Sequence, residues 1–170
     1  MDDFLNPSEV LKKIKLDKSI TAADFGCGSG GWVIPLAKIL EEGRVFAIDI
    51  LEEPLSALRS RAKLEKLSNI DAIKANVEKG TSLLAESCDL VLMTNLLFEA
   101  EDKRFIIEEG KRIMKKGAKL LVVDWKPEAS LGPKGKVSME EIIKIASEFD
   151  FKLETKFSAS PYHYGLVLVK

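Results

Sequence analysis

Between Asp24 and Gly31 the chain reads Asp-Phe-Gly-Cys-Gly-Ser-Gly-Gly, and the next apolar run, Arg44 to Asp49, ends on a carboxylate. A glycine-rich turn between a strand and a helix keeps side chains out of the space where a ligand meets the backbone. A carboxylate closing the following strand is placed to take the hydroxyls of a ribose. The two features together point to a nucleoside-bearing cofactor. A second set of residues able to do chemistry comprises Asn95, Asp124, Trp125, Tyr162, His163 and Tyr164. His163 is the one histidine of the chain and titrates near neutrality, so it is a candidate general base; the alternative is a hydrogen-bonded hairpin residue. Asp124, at a strand's end, is a second catalytic candidate, or the cap of a loop. Trp125, Tyr162 and Tyr164 are substrate-lining candidates for an aromatic acceptor, and of the two tyrosines at most one is expected to face the pocket.

These residues need a scaffold, and the chain alternates strand and helix signals throughout. Asn6-Pro7-Ser8-Glu9 offers an N-cap, a proline at the first helical position and a glutamate completing a capping box, with the helix running to about Ile14. Strands are expected over Ile20 to Phe25, Arg44 to Asp49, Ile70 to Ala75, Asp89 to Met93, Ala118 to Asp124, Phe151 to Phe157 and His163 to Val169. Helices are expected over Trp32 to Leu40, Glu53 to Leu67, Glu101 to Lys116 with Gly117 as its C-cap, and from Ser138 to about Phe149. Repeated strand-helix units imply a parallel sheet, with ligands held outside the carboxyl ends of the strands. Only Ser158 to Tyr162 separates the last two strands, so they form an antiparallel pair. If the sixth strand is parallel to the rest, that turn lies on the ligand edge too.

The 170 residues fit one domain, and a hydrophobic content of 46% supports a sizeable core. With 26 basic and 27 acidic side chains the net charge is −1, which leaves no electrostatic footprint for nucleic acid or an anionic membrane. No nucleic-acid partner is expected. Cys27 and Cys88 lack metal-like spacing, so no metal is expected, and they suit a reducing compartment. The acidic start, Met1-Asp2-Asp3-Phe4, lacks the pattern of a signal peptide, and no apolar run approaches the roughly 20 residues of a membrane span. A cytoplasmic location is the expectation.

Two cofactors compete for the glycine turn. Gly26-x-Gly28-x-x-Gly31 matches the dinucleotide fingerprint, and Asp49 falls 18 residues after Gly31. Asp24 weighs against a dinucleotide, because a carboxylate there suits a cationic amino-acid portion. The antiparallel ending and the lack of length for a substrate domain weigh the same way. The chain resembles the class I S-adenosylmethionine-dependent methyltransferases from about Ser19 to Lys170. Asp24-x-Gly26-x-Gly28-x-Gly30 matches the first motif of that family and Asp49 its ribose-binding acid. Asn76-Val77-Glu78 is similar to the segment bordering the adenine, Asp89 to Asn95 to the fourth motif, and Lys116 to Leu120 to the opening of the fifth strand. Within the family it is similar to small members grouped with the ubiquinone/menaquinone-biosynthesis methyltransferases, on Val123 to Lys126 and Pro161 to Gly165.

The resemblance implies a single Rossmann-like three-layer α/β domain, with a seven-stranded, mostly parallel sheet and an antiparallel C-terminal strand. Residues 1–18 then form an N-terminal helical segment covering the site, and 19–170 the cofactor-binding domain. It also implies contacts to S-adenosylmethionine, or to S-adenosylhomocysteine as product. Asp24 meets the amino group, and the backbone of Gly26, Cys27, Gly28 and Gly30 meets the methionine and ribose portions. Asp49 takes the ribose hydroxyls, Ile50 and Val77 sandwich the adenine, Asn76 or Glu78 meets its edge, and Asn95 borders the site. For Ile50 and Val77 the competing reading is plain core packing. One departure stands out: after Asn95, where many relatives carry a histidine, the run is Leu96-Leu97-Phe98-Glu99. The expected function is methyl transfer to a small molecule, aromatic or quinone-like. A nicotinamide-dependent oxidoreductase and a non-catalytic S-adenosylmethionine-binding module acting through a partner are the alternatives.

Overall fold

A computed structural model describes residues 4–170. The elements follow in chain order as α1 (Pro7–Leu11), β1 (Thr21–Phe25), α2 (Val33–Ile39), β2 (Arg44–Asp49), α3 (Glu52–Leu64), β3 (Ile70–Lys74), β4 (Cys88–Thr94), α4 (Lys103–Ile113), β5 (Met114–Trp125), α5 (Met139–Glu148), β6 (Lys152–Ser158) and β7 (His163–Val169). A 3₁₀ turn, Val77–Lys79, follows β3. The seven strands form one sheet in the order β3-β2-β1-β4-β5-β7-β6, and β7 runs against the direction of the other six. β6 is therefore parallel to the rest, which brings the 158–162 turn to the carboxyl edge. The order reverses direction between β1 and β4, and that switch point opens a crevice at the strand ends.

Alternation along the strands divides the core into two layers. Ala22, Val45, Leu92, Leu121 and Val167 face α1, α2 and α3, whereas Ala23, Phe25, Met93, Val122 and Leu166 face α4 and α5. On α4 the buried Ile106, Ile107, Gly110 and Ile113 recur at helical spacing and make its inner stripe. α1 belongs to the first layer through Val10 and Leu11, both 1% exposed. Asn6 caps it by accepting from the Glu9 N–H at 3.3 Å. Glu9 itself turns to Lys12. Ser138 likewise accepts from the Glu141 N–H at 3.1 Å and opens α5.

Two helices end earlier than expected, α1 at Leu11 rather than about Ile14 and α3 at Leu64 rather than Leu67, and the border of α4 and β5 departs further. α4 stops at Ile113 rather than Lys116, and Gly117 lies inside β5 instead of capping a helix. Met114 is already extended, pairs with Cys88 and is fully buried among Cys88, Ile113 and Ala118. Lys115 binds the Asp89 carboxylate at 2.9 Å, so the lysines that read as a last helical turn flank a strand entry. Among the described residues no helix is long and apolar enough to cross a membrane.

Candidate functional site

The turn after β1 is tied to the end of β2. The Ile48 carbonyl accepts from both the Gly26 and Cys27 N–H groups, at 2.8 and 2.9 Å. Gly26 and Gly30 hold φ of +71° and +91°, a region costly for any residue with a Cβ. A Cβ on Gly26 would press on Leu96, and one on Gly30 would collide with Leu58. Gly31 has ordinary φ and open space around it, so the third glycine that the backbone needs is Gly30. Asp49 locks the turn from outside, accepting from the Gly28 N–H at 2.8 Å and the Leu51 N–H at 3.0 Å.

Asp24 is fully buried on the α1–α3 face of β1, and among the described residues neither carboxylate oxygen has a hydrogen-bond partner. Burial, reinforced by the charge of Asp49, pushes its pKa up to about 8. A carboxylate stripped of water without a partner is costly, so this one is built for a cation. The neighbouring Cys27 thiol is pushed far up by burial first and then by Asp24 and Asp49, which leaves it un-ionised and non-nucleophilic.

A cavity of about 220 Å³ opens beside the turn at the carboxyl ends of β1 to β4, and Gly26, Asp49, Ile50, Asn76, Val77 and Asn95 all line it. Ile50 is 53% exposed and Val77 only 7%, so Ile50 is a rim residue rather than core while Val77 is an inner wall. Asn76 spends Oδ1 on the Glu78 N–H, at 2.9 Å. Glu78 accepts from the Glu101 and Asp102 N–H groups and thereby anchors the approach to α4. Asn95 takes φ +48° and donates its N–H to the Val123 carbonyl, and its Oδ1 is buried without a partner among the described residues.

The second group divides between the two faces of the sheet. Trp125 and His163 are register partners on β5 and β7, with ring centroids 4.2 Å apart. Phe4 reaches over them from ahead of α1, with its centroid 5.5 Å from Trp125, 5.8 Å from Tyr162 and 5.4 Å from His163. Tyr164 lies on the opposite face, 2% exposed, donating its hydroxyl to the Val137 carbonyl at 3.1 Å. Residues two apart in a strand share a face; these tyrosines part because Tyr162 belongs to the turn before β7. Asp124 is also on the α4–α5 face and fully buried. Its Oδ2 accepts from the Leu97 and Phe98 N–H groups at 3.0 and 3.2 Å, and its Oδ1 from the Trp125 N–H at 2.8 Å. Burial raises its pKa to about 6 against the pull of those donors. Both oxygens are engaged, Oδ2 in holding the loop after β4 and Oδ1 in closing the end of β5.

A family model described as "Methyltransferase domain" matches residues 16–159. The chain belongs to that family. A demethylmenaquinone methyltransferase of Listeria monocytogenes serovar 1/2a is 28% identical over 117 residues, which is 68% of this chain and 49% of that protein. The Geobacillus stearothermophilus enzyme of the same name is 27% identical over 110 residues, covering 64% and 47%. The chain spans about half the length of these curated relatives. A solved S-adenosylmethionine-dependent methyltransferase from Aquifex aeolicus is 27% identical and superposes with a TM-score of 0.89 over 98% of this chain and 90% of its own. The [4+2]-cyclase SpnF, at 15% identity and a TM-score of 0.84 over 96% and 80%, shares the fold alone.

S-adenosylmethionine is the cofactor of this methyltransferase family, and the residues present fit it. The orphaned Asp24 carboxylate suits an ammonium group, whereas it would repel the pyrophosphate of a dinucleotide. The open surroundings of Gly31 remove the close helix–strand packing that a dinucleotide fingerprint asks of that glycine. Among the described residues no cluster of His, Cys, Asp or Glu could hold a metal ion. Sequence reasoning missed three contributors: Leu96 as the wall over Gly26, Phe4 as a cover, and Ser160 as the partner of His163. Only Leu96 carried a local signal, since it directly follows Asn95.

Proposed function

We propose that this chain transfers a methyl group from S-adenosylmethionine to a small, ring-bearing acceptor, aromatic or quinone-like. The observation that carries the donor half is Asp24, a buried and unpartnered carboxylate beside a glycine turn. The acceptor half is supported by the aromatic group at the ends of β5 and β7 and by the demethylmenaquinone methyltransferases among the relatives. Bound there, S-adenosylmethionine supplies an electrophilic methyl on a sulfonium, so the protein's task is to orient, desolvate and recognise. Asp24 takes the amino group, and the backbone of Gly26, Cys27, Gly28 and Gly30 cradles the methionine and ribose portions. Asp49, already fixed by two backbone donors, has lone pairs left for the ribose hydroxyls. Ile50 and Val77 hold the adenine between rim and wall, and the amide groups of Asn76 and Asn95 border it. Trp125 and Tyr162 offer ring faces to the acceptor. The N-terminal segment, of which residues 1–3 lie outside the described structure, covers this acceptor side from Phe4 to Lys18, and 19–170 carry the cofactor.

The test is turnover with methyl-labelled S-adenosylmethionine and reduced short-chain naphthoquinones. Label is expected in the organic phase. A specific observation keeps a second reading, a cofactor-binding module acting through a partner: no histidine follows Asn95, and the Asp124 carboxylate is fully engaged. Tight S-adenosylhomocysteine binding with no labelled product, from these acceptors or from a cell extract, would establish that reading instead.

A further inference from the structure

We propose that the rings of Trp125, Tyr162 and His163 form a subsite for one flat ring bearing a carbonyl or phenolate oxygen, that Phe4 occupies it as a displaceable cover, and that His163 Nε2–H donates to that oxygen. The proposal rests on the ring-acceptor reading above and gives His163 a role other than a base.

The direction of the hydrogen bond follows from Ser160. Its Oγ accepts the backbone N–H groups of Tyr162 and His163, each at 3.1 Å. Both lone pairs of the hydroxyl are thereby engaged, and its proton goes to the third neighbour, His163 Nδ1, at 2.9 Å. With Nδ1 accepting, a neutral imidazole carries its proton on Nε2. Burial, with Lys126 adding to it, lowers the His163 pKa against the opposing Phe4 backbone, so the ring is neutral at pH 7. His163 is fully buried, and among the described residues Nε2 has no partner of ordinary hydrogen-bond geometry. The one acceptor that acts on the ring is the Phe4 backbone, which belongs to the cover itself, so a displaced cover leaves a buried N–H donor that calls for another oxygen acceptor.

Phe4 is what stands over that nest. It touches all three rings within 5.8 Å, yet it is 47% exposed itself. A ring that contributes contact on one side and faces solvent on the other is cheap to displace. The nest also has a firm floor. Gly132, at φ +105°, lies so close on the Trp125 ring that a Cβ would collide with it, and Lys126 Nζ ties down Ser158 and Ser160 at 2.9 Å each. β7 is two strand spacings, about 10 Å, from β4, whose end closes the cofactor cavity. A bicyclic ring seated on Trp125 spans most of that interval.

The experiment is calorimetric titration of the full chain with 1-indanone and with indane, its oxygen-free counterpart. If the cover is closed nine-tenths of the time, Phe4→Ala binds both probes about tenfold more tightly. Phe4→Trp, a larger cover, weakens both. Wild type prefers 1-indanone to indane about tenfold, the worth of one hydrogen bond to a buried donor. His163→Phe keeps the stacking face and abolishes that preference, and His163→Gln, which retains an N–H donor, restores part of it. Weaker binding by Phe4→Ala would make Phe4 a wall and overturn the cover. A preference that survives His163→Phe would overturn the donor. Binding of neither probe by any variant would sink both the subsite and the ring-acceptor reading. Failure of methyl transfer to hydroquinones with the probe pattern intact would remove the quinone reading alone.

Discussion

Asp24 is the residue on which the chemistry of the site turns. Its folded pKa of about 8 lies above the ordinary 3.8, because burial and then Asp49 disfavour the charge. Without cofactor, unfolding therefore releases a proton between about pH 4 and 8, and stability falls as pH rises through that window. Asp24→Asn removes the dependence and is expected to stabilise the cofactor-free protein by about 2–4 kcal/mol at pH 8.5, read from urea midpoints. Cofactor binding runs the other way, since the ammonium group selects the carboxylate. Affinity for S-adenosylhomocysteine should climb up to tenfold per pH unit from pH 6 and level off above about 8; a flat calorimetric profile would detach Asp24 from the amino group. Asp49 stands apart, held by the Gly28 and Leu51 N–H groups. On the proposed ribose contact, Asp49→Ala loses that contact together with the lock, and should weaken cofactor binding by about 1–3 kcal/mol. The placement of these two carboxylates was legible in the sequence because a strand, a tight turn and a carboxylate at its mouth are local in the chain. Asp124 and His163 were not legible. Asp124 is defined by the Leu97 and Phe98 N–H groups, 27 and 26 residues away, and His163 by a serine hydroxyl whose donor direction only the folded turn sets.

Two elements carry the site, the turn after β1 and the loop after β4, and each has its own test. In the turn, Gly30 combines φ +91° with a Cβ direction blocked by Leu58, whereas Gly31 has neither constraint. Gly30→Ala should cost about 1–3 kcal/mol in urea unfolding, and Gly31→Ala less than about 0.5. Equal costs would mean that the turn is held in some other way. In the loop, Asp124 gathers three N–H groups in a buried place, so Asp124→Ala strands donors with no water to turn to. A loss of about 2–4 kcal/mol is expected, with the cofactor cavity distorted through Leu96. At this scale the sequence carried the strands well, because continuous apolar runs such as Leu90 to Met93 have one sensible place in a parallel sheet. It misplaced the border between α4 and β5. Lys115, Lys116 and Gly117 have the composition of a helix end, and the pairing of Met114 with Cys88 that overrides it is a contact between distant parts of the chain.

At the scale of the whole molecule, both core layers meet across one sheet, and the cofactor cavity lies at its centre, where β1 and β4 part. Strands on either side of that crevice share hydrogen bonds with β1 or β4, so a ligand bridging the strand ends stabilises the fold as a unit. Linkage sets the size of the effect: S-adenosylhomocysteine at about 100 times its dissociation constant adds about 2.7 kcal/mol. For a chain of 170 residues that corresponds to a rise in Tm of about 5–10 °C. NADH at the same concentration should leave Tm unchanged at pH 8.5, where Asp24, above its pKa of about 8, faces the pyrophosphate with like charge. The Asp24 titration adds a signature that nonspecific stabilisation lacks. At fixed S-adenosylhomocysteine concentration the shift should be larger at pH 8.5 than at pH 6.5, although the cofactor-free protein is less stable at the higher pH. Asp24→Asn should reduce the shift and make it the same at both. A shift equal at the two pH values in the unmodified chain, or one matched by NADH, would place the ligand elsewhere than at the mouth of β1.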